Sequence, residues 1–270
     1  MPTLENGIVS HAPEFSSDGA GGFKKESFSK LAKFENKSFW FSARNKLIIW
    51  ALLRYKQNPA NFLEVGCGTG YVLKEISNVL PTVKLMGSEI HHEGLRYAVK
   101  RVPKAEFMQM DARQTPYYEE FDSIGAFDVL EHIKEDELVI KQLHAALNPG
   151  GILLISVPQH PFLWSKSDEY ACHVRRYTNY NLTKVLQGSG FQILKNTSFV
   201  FTLLPLMYFS RIMNKRKKTF NPDNEFNINP FLNYLFYIIL ILELSLIKLK
   251  ITFPFGGTRF LVAKKAIKVE

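Results

Sequence analysis

The stretch of sequence that decides the fold is Phe62-Leu63-Glu64-Val65-Gly66-Cys67-Gly68-Thr69-Gly70-Tyr71. Its first four residues predict a short buried strand, and the residues from Tyr71 to Val79 predict a helix. The loop between them contains three glycines, so its backbone can approach a ligand without a Cβ in the way. A strand, a glycine-rich loop and a helix in this order are typical of a parallel sheet that binds ligands beyond the carboxyl ends of its strands.

Predicted strands and helices alternate along the rest of the chain. The predicted strands are Phe62–Val65, Val83–Ser88, Ala105–Met110, Asp122–Phe127, Ile152–Val157, Phe191–Phe199 and Thr258–Lys264. Helical stretches lie between most of them, and such alternation predicts a parallel sheet that helices cover on both faces. The sequence therefore predicts an α/β protein with a Rossmann-like, seven-stranded, mostly parallel sheet.

Two nucleotide-binding patterns compete for the glycine loop. The dinucleotide fingerprint requires a glycine at the sixth position counted from Gly66, where this chain has Tyr71. A phosphate-binding P-loop ends in Gly-Lys-Ser/Thr, but Gly70 is followed by Tyr71 and Val72, so no lysine is available for a phosphate. An NAD-dependent oxidoreductase is therefore disfavoured, although it stays an alternative.

The segment from Glu64 to Gly70 resembles the first motif of class I methyltransferases, in which an acidic and a hydrophobic residue precede Gly-x-Gly-x-Gly. The resemblance is to the small-molecule enzymes of bacteria, of the type 11–12-like family, and covers about residues 39–199 plus the last strand. Phe127–His132 and Leu147–Gly151 also resemble signatures of the family. The resemblance implies that S-adenosylmethionine is the cofactor and that the glycines face its methionine part.

The resemblance also implies cofactor contacts at the ends of successive strands. Glu89 ends the second strand, where a carboxylate would accept both ribose hydroxyls, and Asp111 follows the third, where an acidic residue would meet the adenine amino group. Ala112 would donate its backbone N–H to the adenine ring. The predicted cofactor-binding residues are Arg44, Glu64, Gly66, Cys67, Gly68, Gly70, Glu89, Ile90, Asp111, Ala112 and Phe127.

The predicted acceptor side combines two segments. Residues 39–44 resemble the start of many bacterial methyltransferases and would close over the cofactor, with Arg44 pairing with its carboxylate. Residues 168–177 crowd ionisable and aromatic side chains on a loop after the fifth strand. We predict acceptor contacts from Trp40, Arg176 and Tyr177. The alternative is that these side chains only hold the helix and the loop in shape.

Two histidines are candidates for the general base. His173 lies in the loop after the fifth strand, and its ordinary pKa of about 6.5 suits proton removal near neutrality. His132 is the second candidate. Asp128, Glu131 and His132 also resemble the acidic-x-x-Glu-His metal cluster of ubiquinone-type O-methyltransferases, but the sequence identifies no further ligands. We therefore predict no metal.

The chain departs from the family between its last two strands, which are often joined by a tight hairpin. Phe199–Met213 is largely apolar and leads into the basic run 215–218, and Phe231–Ile247 is apolar nearly all round, with Lys248 and Lys250 after it. A membrane-spanning helix needs about 20 apolar residues and would expose Glu243 to lipid. The alternatives to a membrane-spanning helix are an interfacial helix with basic flanks and a helix that packs on the domain or in a homodimer.

These observations divide the chain into three parts. Residues 1–23 are rich in Gly, Ser, Glu and Asp and are predicted to be a disordered leader, without the apolar segment of a secretory signal. Residues 24–199 and 255–270 are the predicted methyltransferase domain, and residues 200–254 are an apolar helical insertion before the last strand. Two cysteines are too few for a disulfide framework, which favours the cytoplasm, with peripheral attachment to the inner face of the membrane if the insertion is interfacial.

The net charge of +9 favours an acidic partner such as an anionic membrane surface or a nucleic acid. The Asn/Asp-Pro-Pro-Tyr/Phe element of base-modifying enzymes does not follow the fourth strand, so we expect no nucleic acid as partner. The predicted function is methyl transfer from S-adenosylmethionine to an oxygen or nitrogen of a small-molecule or lipid-linked acceptor. A non-catalytic scaffold that binds S-adenosylmethionine is the alternative outside enzymes.

Overall fold

The computed structural model describes residues 2–5, 7–15, 25–215 and 228–267. Its strands are β1 (Thr3–Glu5), β2 (Ile8–Ser10), β3 (Asn61–Val65), β4 (Lys84–Glu89), β5 (Glu106–Gln109), β6 (Phe121–Phe127), β7 (Leu147–Pro158), β8 (Phe191–Phe199) and β9 (Thr258–Lys265). Its helices are α1 (Lys25–Phe34), α2 (Phe39–Tyr55), α3 (Tyr71–Val79), α4 (His92–Arg101), α5 (Asp136–Ala146), α6 (Lys166–Tyr170), α7 (Asn179–Gly188), α8 (Leu204–Lys215) and α9 (Pro230–Lys248).

The strands form one sheet in the order β1-β2-β5-β4-β3-β6-β7-β9-β8. Neighbours from β5 to β7 are parallel, whereas β9 runs antiparallel between β7 and β8. The predicted Rossmann-like, mostly parallel sheet is confirmed, and the seven predicted strands are β3 to β9. β7 begins earlier than predicted because Leu147 already pairs with Phe121, across an irregularity in the register.

The N-terminal residues differ from the predicted disordered leader. β1 and β2 form an antiparallel pair, and β2 pairs in parallel with β5, where Ser10 Oγ donates to Gln109 Oε1 at 2.6 Å. Without β2, the edge of β5 would present unpaired backbone groups, and Ile8 adds a buried apolar side chain. The sheet therefore has nine strands in the part of the chain that the structure describes. The rest of the predicted leader, residues 1, 6 and 16–23, lies outside the described residues.

Helices cover both faces of the sheet. Successive side chains of β3 illustrate the arrangement, because Phe62 belongs to the core under α2, α3, α4 and α9, and Leu63 belongs to the core under α5 and α7. Both faces of the parallel strands are therefore buried. This agrees with their sequences, which are continuous apolar runs rather than alternating apolar and polar residues.

The insertion contributes α8 and α9, and α9 packs on the domain by one face. The buried face of α9 holds Leu240, Glu243, Leu244 and Ile247. The Glu243 carboxylate accepts hydrogen bonds from the N–H groups of Phe201 and Thr202 at 3.0 and 2.9 Å and from the Thr202 hydroxyl at 2.7 Å. α9 is long and apolar enough to cross a membrane by length and composition alone. Its carboxylate nevertheless has partners within the protein.

A second polar residue of α9 also has partners in the domain. Asn233 Oδ1 accepts from the N–H of Phe39 at 2.9 Å, and its Nδ2 donates to the carbonyl of Lys37 at 2.8 Å. Asn233 therefore satisfies a backbone donor at the N-terminus of α2, where the first N–H groups have no partner within the helix. The basic run 215–218 begins at the last residue of α8, and residues 216–218 lie outside the described residues.

Replacing Glu243 by alanine should destabilise the fold. Glu243→Ala leaves the N–H groups of Phe201 and Thr202 without their acceptor, so we expect the free energy of unfolding to fall by about 1–3 kcal/mol. Urea denaturation followed by circular dichroism measures this change. Ser245→Ala is the matched control, because the Ser245 hydroxyl donates only to the Ile241 carbonyl of its own helix. If the two variants had equal urea midpoints of unfolding, Glu243 would not stabilise the fold through these hydrogen bonds.

Candidate active site

A cavity of about 1190 Å³ opens at the carboxyl ends of β3 to β6. It brings together most of the residues that the sequence analysis singled out. Those that line the cavity are Trp40, Arg44, Glu64, Gly66, Cys67, Gly68, Glu89, Ile90, Asp111, Ala112, Phe127, His132, His173 and Arg176. Gly70 and Tyr177 are not among the lining residues.

The three glycines of the loop have different roles. All three have positive φ, but a Cβ at Gly66 would lie 2.4 Å from Val129 Cγ2, and one at Gly70 would lie 3.0 Å from Ala98 Cα. These two positions need glycine for close packing within the protein. At Gly68 the nearest atom to a Cβ would be 3.9 Å away, so this glycine borders open space. Of the three, Gly68 is the one whose missing side chain leaves room for a ligand.

Glu89 ties the glycine loop to the end of β4. Its carboxylate accepts from the N–H groups of Gly68 at 3.1 Å, Ile90 at 2.8 Å and His91 at 3.1 Å. Burial raises the pKa of Glu89, and these hydrogen bonds act in the opposite direction. Since a carboxylate has about four acceptor positions, three bonds leave about one position for a ligand. The predicted contact with both ribose hydroxyls would therefore need one of these bonds to be shared.

Glu64 is a buried carboxylate with an unsatisfied oxygen. Its Oε2 has no hydrogen-bond partner, and burial raises its pKa to about 8, against the effect of the nearby Arg44 charge. Buried polar atoms are nearly always paired, so an orphaned oxygen at a cavity wall needs a partner. A positively charged ligand group, such as an ammonium, would supply it.

Arg113 engages the carboxylate of Asp111. Both oxygens of Asp111 accept from the guanidinium, at 2.8 to 3.1 Å, and the Arg113 N–H donates to Oδ1 at 2.9 Å. Arg113 also lines the cavity. The sequence analysis missed it, because nothing in the motif that contains Asp111 specifies a charge partner two residues later. The contact predicted between Asp111 and adenine remains a prediction.

Arg44 has a protein partner in place of the predicted ligand carboxylate. Its Nη1 donates to Oδ2 of Asp128, and its Cζ lies 4.6 Å from the centroid of the Trp40 ring. The Nε atom of Arg44 is buried and without a hydrogen-bond partner. Asp128 also lines the cavity, and the sequence suggested for it only the metal cluster with Glu131 and His132. The structure thus pairs the predicted cofactor residue with an acid from the end of β6.

Asp168, His173 and Arg176 form the polar centre of the acceptor side. Asp168 Oδ1 lies 2.9 Å from His173 Nδ1 and accepts from Arg176 Nε at 2.7 Å. Burial alone would raise the pKa of Asp168, but the His173 hydrogen bond and the Arg176 charge lower it overall. An ionised Asp168 fixes the proton of His173 on Nδ1 and leaves Nε2 as an acceptor. His173 Nε2 lies 4.0 Å from Glu131 Oε1.

Glu131 is fully buried beside this centre, and His132 is partly buried. Both Glu131 oxygens lack a hydrogen-bond partner, and burial raises the pKa of Glu131 well above its ordinary value. Burial, with the neighbouring His173, lowers the pKa of His132 to about 3. Ligand atoms of Glu131, His132 and His173 lie within 4.8 Å of one another, so a metal ion could bridge them by spacing alone. The prediction of no metal stays a prediction.

Tyr177 corrects one prediction of the acceptor side. Its side chain is buried, and its hydroxyl donates to Asp136 Oδ2 at 2.7 Å and approaches the Leu130 carbonyl at 3.3 Å. It therefore anchors the loop behind the cavity wall and has no surface for an acceptor. Composition and position in the loop could not show this, because neighbouring side chains of an extended segment point in opposite directions.

The insertion supplies part of the cavity wall. The inner side of α8 contributes Leu203, which lies just before the helix, Leu206, Met207, Ser210 and Arg211. Arg211 Nη1 donates to Ser165 Oγ at 3.0 Å and to Ser167 Oγ. The sequence analysis did not identify these residues, because their distance along the chain from the glycine loop gives no sign that α8 returns to it.

Comparison with known proteins identifies the family. A family described as methyltransferase domain matches residues 38–196, which is more than half of the chain. The chain belongs to this methyltransferase domain family. Trans-aconitate 2-methyltransferase of Variovorax paradoxus is 34% identical over 102 residues, 37% of this chain and 39% of that protein. A probable S-adenosylmethionine-dependent methyltransferase of Mycolicibacterium smegmatis is 24% identical over 159 residues, 58% of this chain and 60% of that protein.

These matches span less than two thirds of the relatives' length. Among solved structures, phosphoethanolamine N-methyltransferase 2 of Haemonchus contortus in complex with S-adenosyl-L-methionine has a TM-score of 0.56 at 18% identity, covering 82% of this chain and 52% of that one. The [4+2]-cyclase SpnF has a TM-score of 0.58 at 17% identity, covering 93% and 89%. At these identities the structures show a shared fold alone.

S-adenosylmethionine is the cofactor of the family, and the cavity fits it. The orphaned oxygen of Glu64 can accept from the ammonium of its methionine part, and Gly68 leaves space for close approach. Glu89 and Asp111 follow at the ends of β4 and β5 in the positions predicted for the ribose and the adenine. The resemblance seen in the sequence is thus confirmed at the level of the family.

A side chain at Gly68 should weaken cofactor binding. Gly68→Val projects a branched side chain into open space of the cavity, so we expect the affinity for S-adenosylhomocysteine to fall at least about tenfold, or about 1.4 kcal/mol. Isothermal titration calorimetry measures the affinity, with thermal melting as a check of the fold. Gly7→Val is the control, because Gly7 also has a positive φ, its Cβ would meet no atom within 4 Å, and it does not line the cavity. Wild-type affinity in Gly68→Val would show that the ligand does not approach this loop.

Glu64 should make the stability of the ligand-free protein depend on pH. Because its folded-state pKa of about 8 lies above the ordinary value, the folded protein holds a proton that the unfolded chain loses above about pH 4.5. The free energy of unfolding should therefore fall between these two pH values, by up to about 1.4 kcal/mol per pH unit from this group. Urea denaturation at several pH values should give Glu64→Gln a less negative slope than the wild type. Identical slopes would exclude a protonated Glu64.

Proposed function

We propose that this protein transfers the methyl group of S-adenosylmethionine to an oxygen or nitrogen atom of a small-molecule or lipid-linked acceptor. The observation that carries the proposal is one continuous cavity. The cofactor residues Glu64, Gly68 and Glu89 line it together with His173 and Arg176. An acceptor in the second part of the cavity would therefore lie beside a cofactor in the first, which is the arrangement that a direct displacement needs.

His173 is the general base of the proposed reaction. Bound S-adenosylmethionine supplies a methyl group on a positively charged sulfur. His173 Nε2 accepts the proton of the acceptor's O–H or N–H group, and Asp168 holds the opposite ring nitrogen at 2.9 Å. Arg176 keeps Asp168 ionised, so the aspartate also stabilises the imidazolium that forms. The acceptor's O–CH₃ or N–CH₃ bond forms as the sulfur–CH₃ bond breaks.

His132 is less suited to this role than His173. Its pKa of about 3 makes it a weak base at neutral pH, and its ring packs edge to face against that of His173, with ring centroids 4.7 Å apart. An efficient general base has a pKa near the pH at which it works. Of the two histidines that the sequence analysis considered, we therefore assign proton transfer to His173 and packing to His132.

The acceptor side of the cavity is apolar with a cationic end. Leu203, Leu206 and Met207 supply the apolar wall, whereas Arg211 lies beside the hydroxyls of Ser165 and Ser167. A guanidinium suits a carboxylate or a phosphate. We therefore propose an acceptor with an apolar body and an acidic group. We further propose that the reaction takes place in the cytoplasm, where the thiols of Cys67 and Cys172 would stay reduced.

One other function remains as an alternative. A [4+2]-cyclase has a similar fold, and a fold does not fix the reaction, so the alternative is a scaffold that binds S-adenosylmethionine without methyl transfer. The NAD-dependent oxidoreductase, which Tyr71 disfavours, does not agree with membership of the methyltransferase domain family. Calorimetry should accordingly show binding of S-adenosylmethionine and none of NAD.

Replacing His173 should slow methyl transfer strongly and leave cofactor binding unchanged. The assay supplies S-adenosylmethionine labelled in its methyl group, with aqueous and lipid extracts of cells as the source of acceptor, and follows label in the products. His173→Ala should lower the rate about 10²- to 10⁴-fold, the usual contribution of a general base, with unchanged affinity for S-adenosylhomocysteine. His144→Ala is the control, since His144 contacts Phe191 and does not line the cavity. An unchanged rate in His173→Ala would exclude His173 as the general base. If the wild type binds S-adenosylmethionine but transfers no label to any compound in the extracts, the non-catalytic scaffold would be favoured.

A further inference from the structure

The outer face of α9 is a continuous row of exposed apolar side chains. The row, which we name the apolar stripe, consists of Phe231, Leu235, Ile238, Leu242 and Leu246, with Leu249 directly after the last helical residue. Spacings of three and four residues place these side chains on one side of the helix, opposite the face that packs on α2 and β8. Their exposed fractions run from 37 to 73%. Large exposed apolar patches mark interaction sites in soluble proteins.

α8 extends the apolar surface of the insertion. Phe209 and Met213 are more than half exposed and lie four residues apart, about one helical turn. Glu243 of α9 accepts hydrogen bonds from the backbone just before α8, so the two helices are joined at this point. The inner side of α8 lines the cavity. The insertion therefore has an inner face toward the site and an outer apolar face.

The charges around the stripe are basic. Lys248 and Lys250 are exposed at its C-terminal end. The acidic residue of α9, Glu243, lies on the buried face and has its partners there. The whole chain carries a net charge of +9. An apolar helix face with basic residues at its border has the composition of a helix that lies in a membrane interface.

We propose that the apolar stripe seats the protein on an anionic lipid surface, with α9 lying in the plane of the interface. A protein partner fits less well, because protein interfaces have about one hydrogen bond per 100–200 Å². Next to the stripe, Ser245 donates to the Ile241 carbonyl of its own helix, and Tyr234 contributes one exposed hydroxyl. A spanning orientation would place the buried face of α9, with Glu243, in lipid. This proposal does not depend on methyl transfer.

Vesicle flotation tests the proposal on the full-length protein. Wild-type protein should float with vesicles of phosphatidylcholine and phosphatidylserine at low salt. The fraction that floats should be smaller with vesicles of phosphatidylcholine alone, and smaller at high salt, because salt screens the charges of the lysines. The triple variant Leu235→Ser, Leu242→Ser and Leu246→Ser should lose at least about tenfold in vesicle affinity, since the apolar area is the main source of binding. These residues do not line the cavity, so S-adenosylhomocysteine affinity should be unchanged, which also reports correct folding.

The control replaces three exposed apolar side chains elsewhere, as Val79→Ser, Leu138→Ser and Tyr180→Ser, and should bind vesicles like the wild type. Lys248→Gln with Lys250→Gln should reduce binding to anionic vesicles and leave binding to neutral vesicles unchanged. Light scattering without lipid tests a second copy of the chain as the occupant. The proposal would be overturned by any of three results. The wild type is a dimer and the triple variant a monomer, the wild type does not float with anionic vesicles at low salt, or the wild type and the triple variant float equally.

Discussion

The site depends on one buried carboxylate at the end of β4. Glu89 accepts hydrogen bonds from the backbone of Gly68 in the loop after β3 and from Ile90 and His91 before α4. It thereby fixes two neighbouring strand ends and the start of a helix relative to one another. The approach is close, because a Cβ at Gly94 of α4 would lie 2.9 Å from the Gly68 carbonyl oxygen. With the loop held in this way, Gly68 faces the cavity, and the other cofactor residues are arranged around it.

Five of the other acids that line the cavity fall into two groups. Asp111, Asp128 and Asp168 each have an arginine partner, so their negative charge is compensated within the protein. Glu64 and Glu131 each leave buried carboxylate oxygens without a hydrogen bond, and burial raises the pKa of both. The first group shapes the walls. The second group would contribute most to the binding of a cationic ligand. A buried carboxylate oxygen without a hydrogen bond carries an uncompensated cost of desolvation, and a donor on the ligand would offset that cost.

Much of the fold could be predicted, because strand patterns and glycine positions are local in sequence. Gly66 and Gly70 belong to the motif but prove to be packing positions, which only the distances to Val129 and Ala98 reveal. β2 could not be predicted because its stability comes from the free edge of β5 rather than from its own three residues. Tyr177 was misassigned and Arg113 was missed for a common reason: burial and charge pairing are set by contacts across the fold. The same holds for Arg211, whose hydroxyl partners precede it by more than 40 residues.

The insertion leaves and rejoins the sheet at one place. Phe199, the last residue of β8, pairs directly with Thr258, the first residue of β9. A segment whose two ends meet in adjacent strands can change in length or sequence at little entropic cost to the domain. The glycine loop, Glu89 and Asp111 all lie in the first half of the chain, well before this junction. Evolution could therefore exchange the segment that forms one wall of the acceptor side, as a cassette, while the cofactor half of the molecule stayed the same.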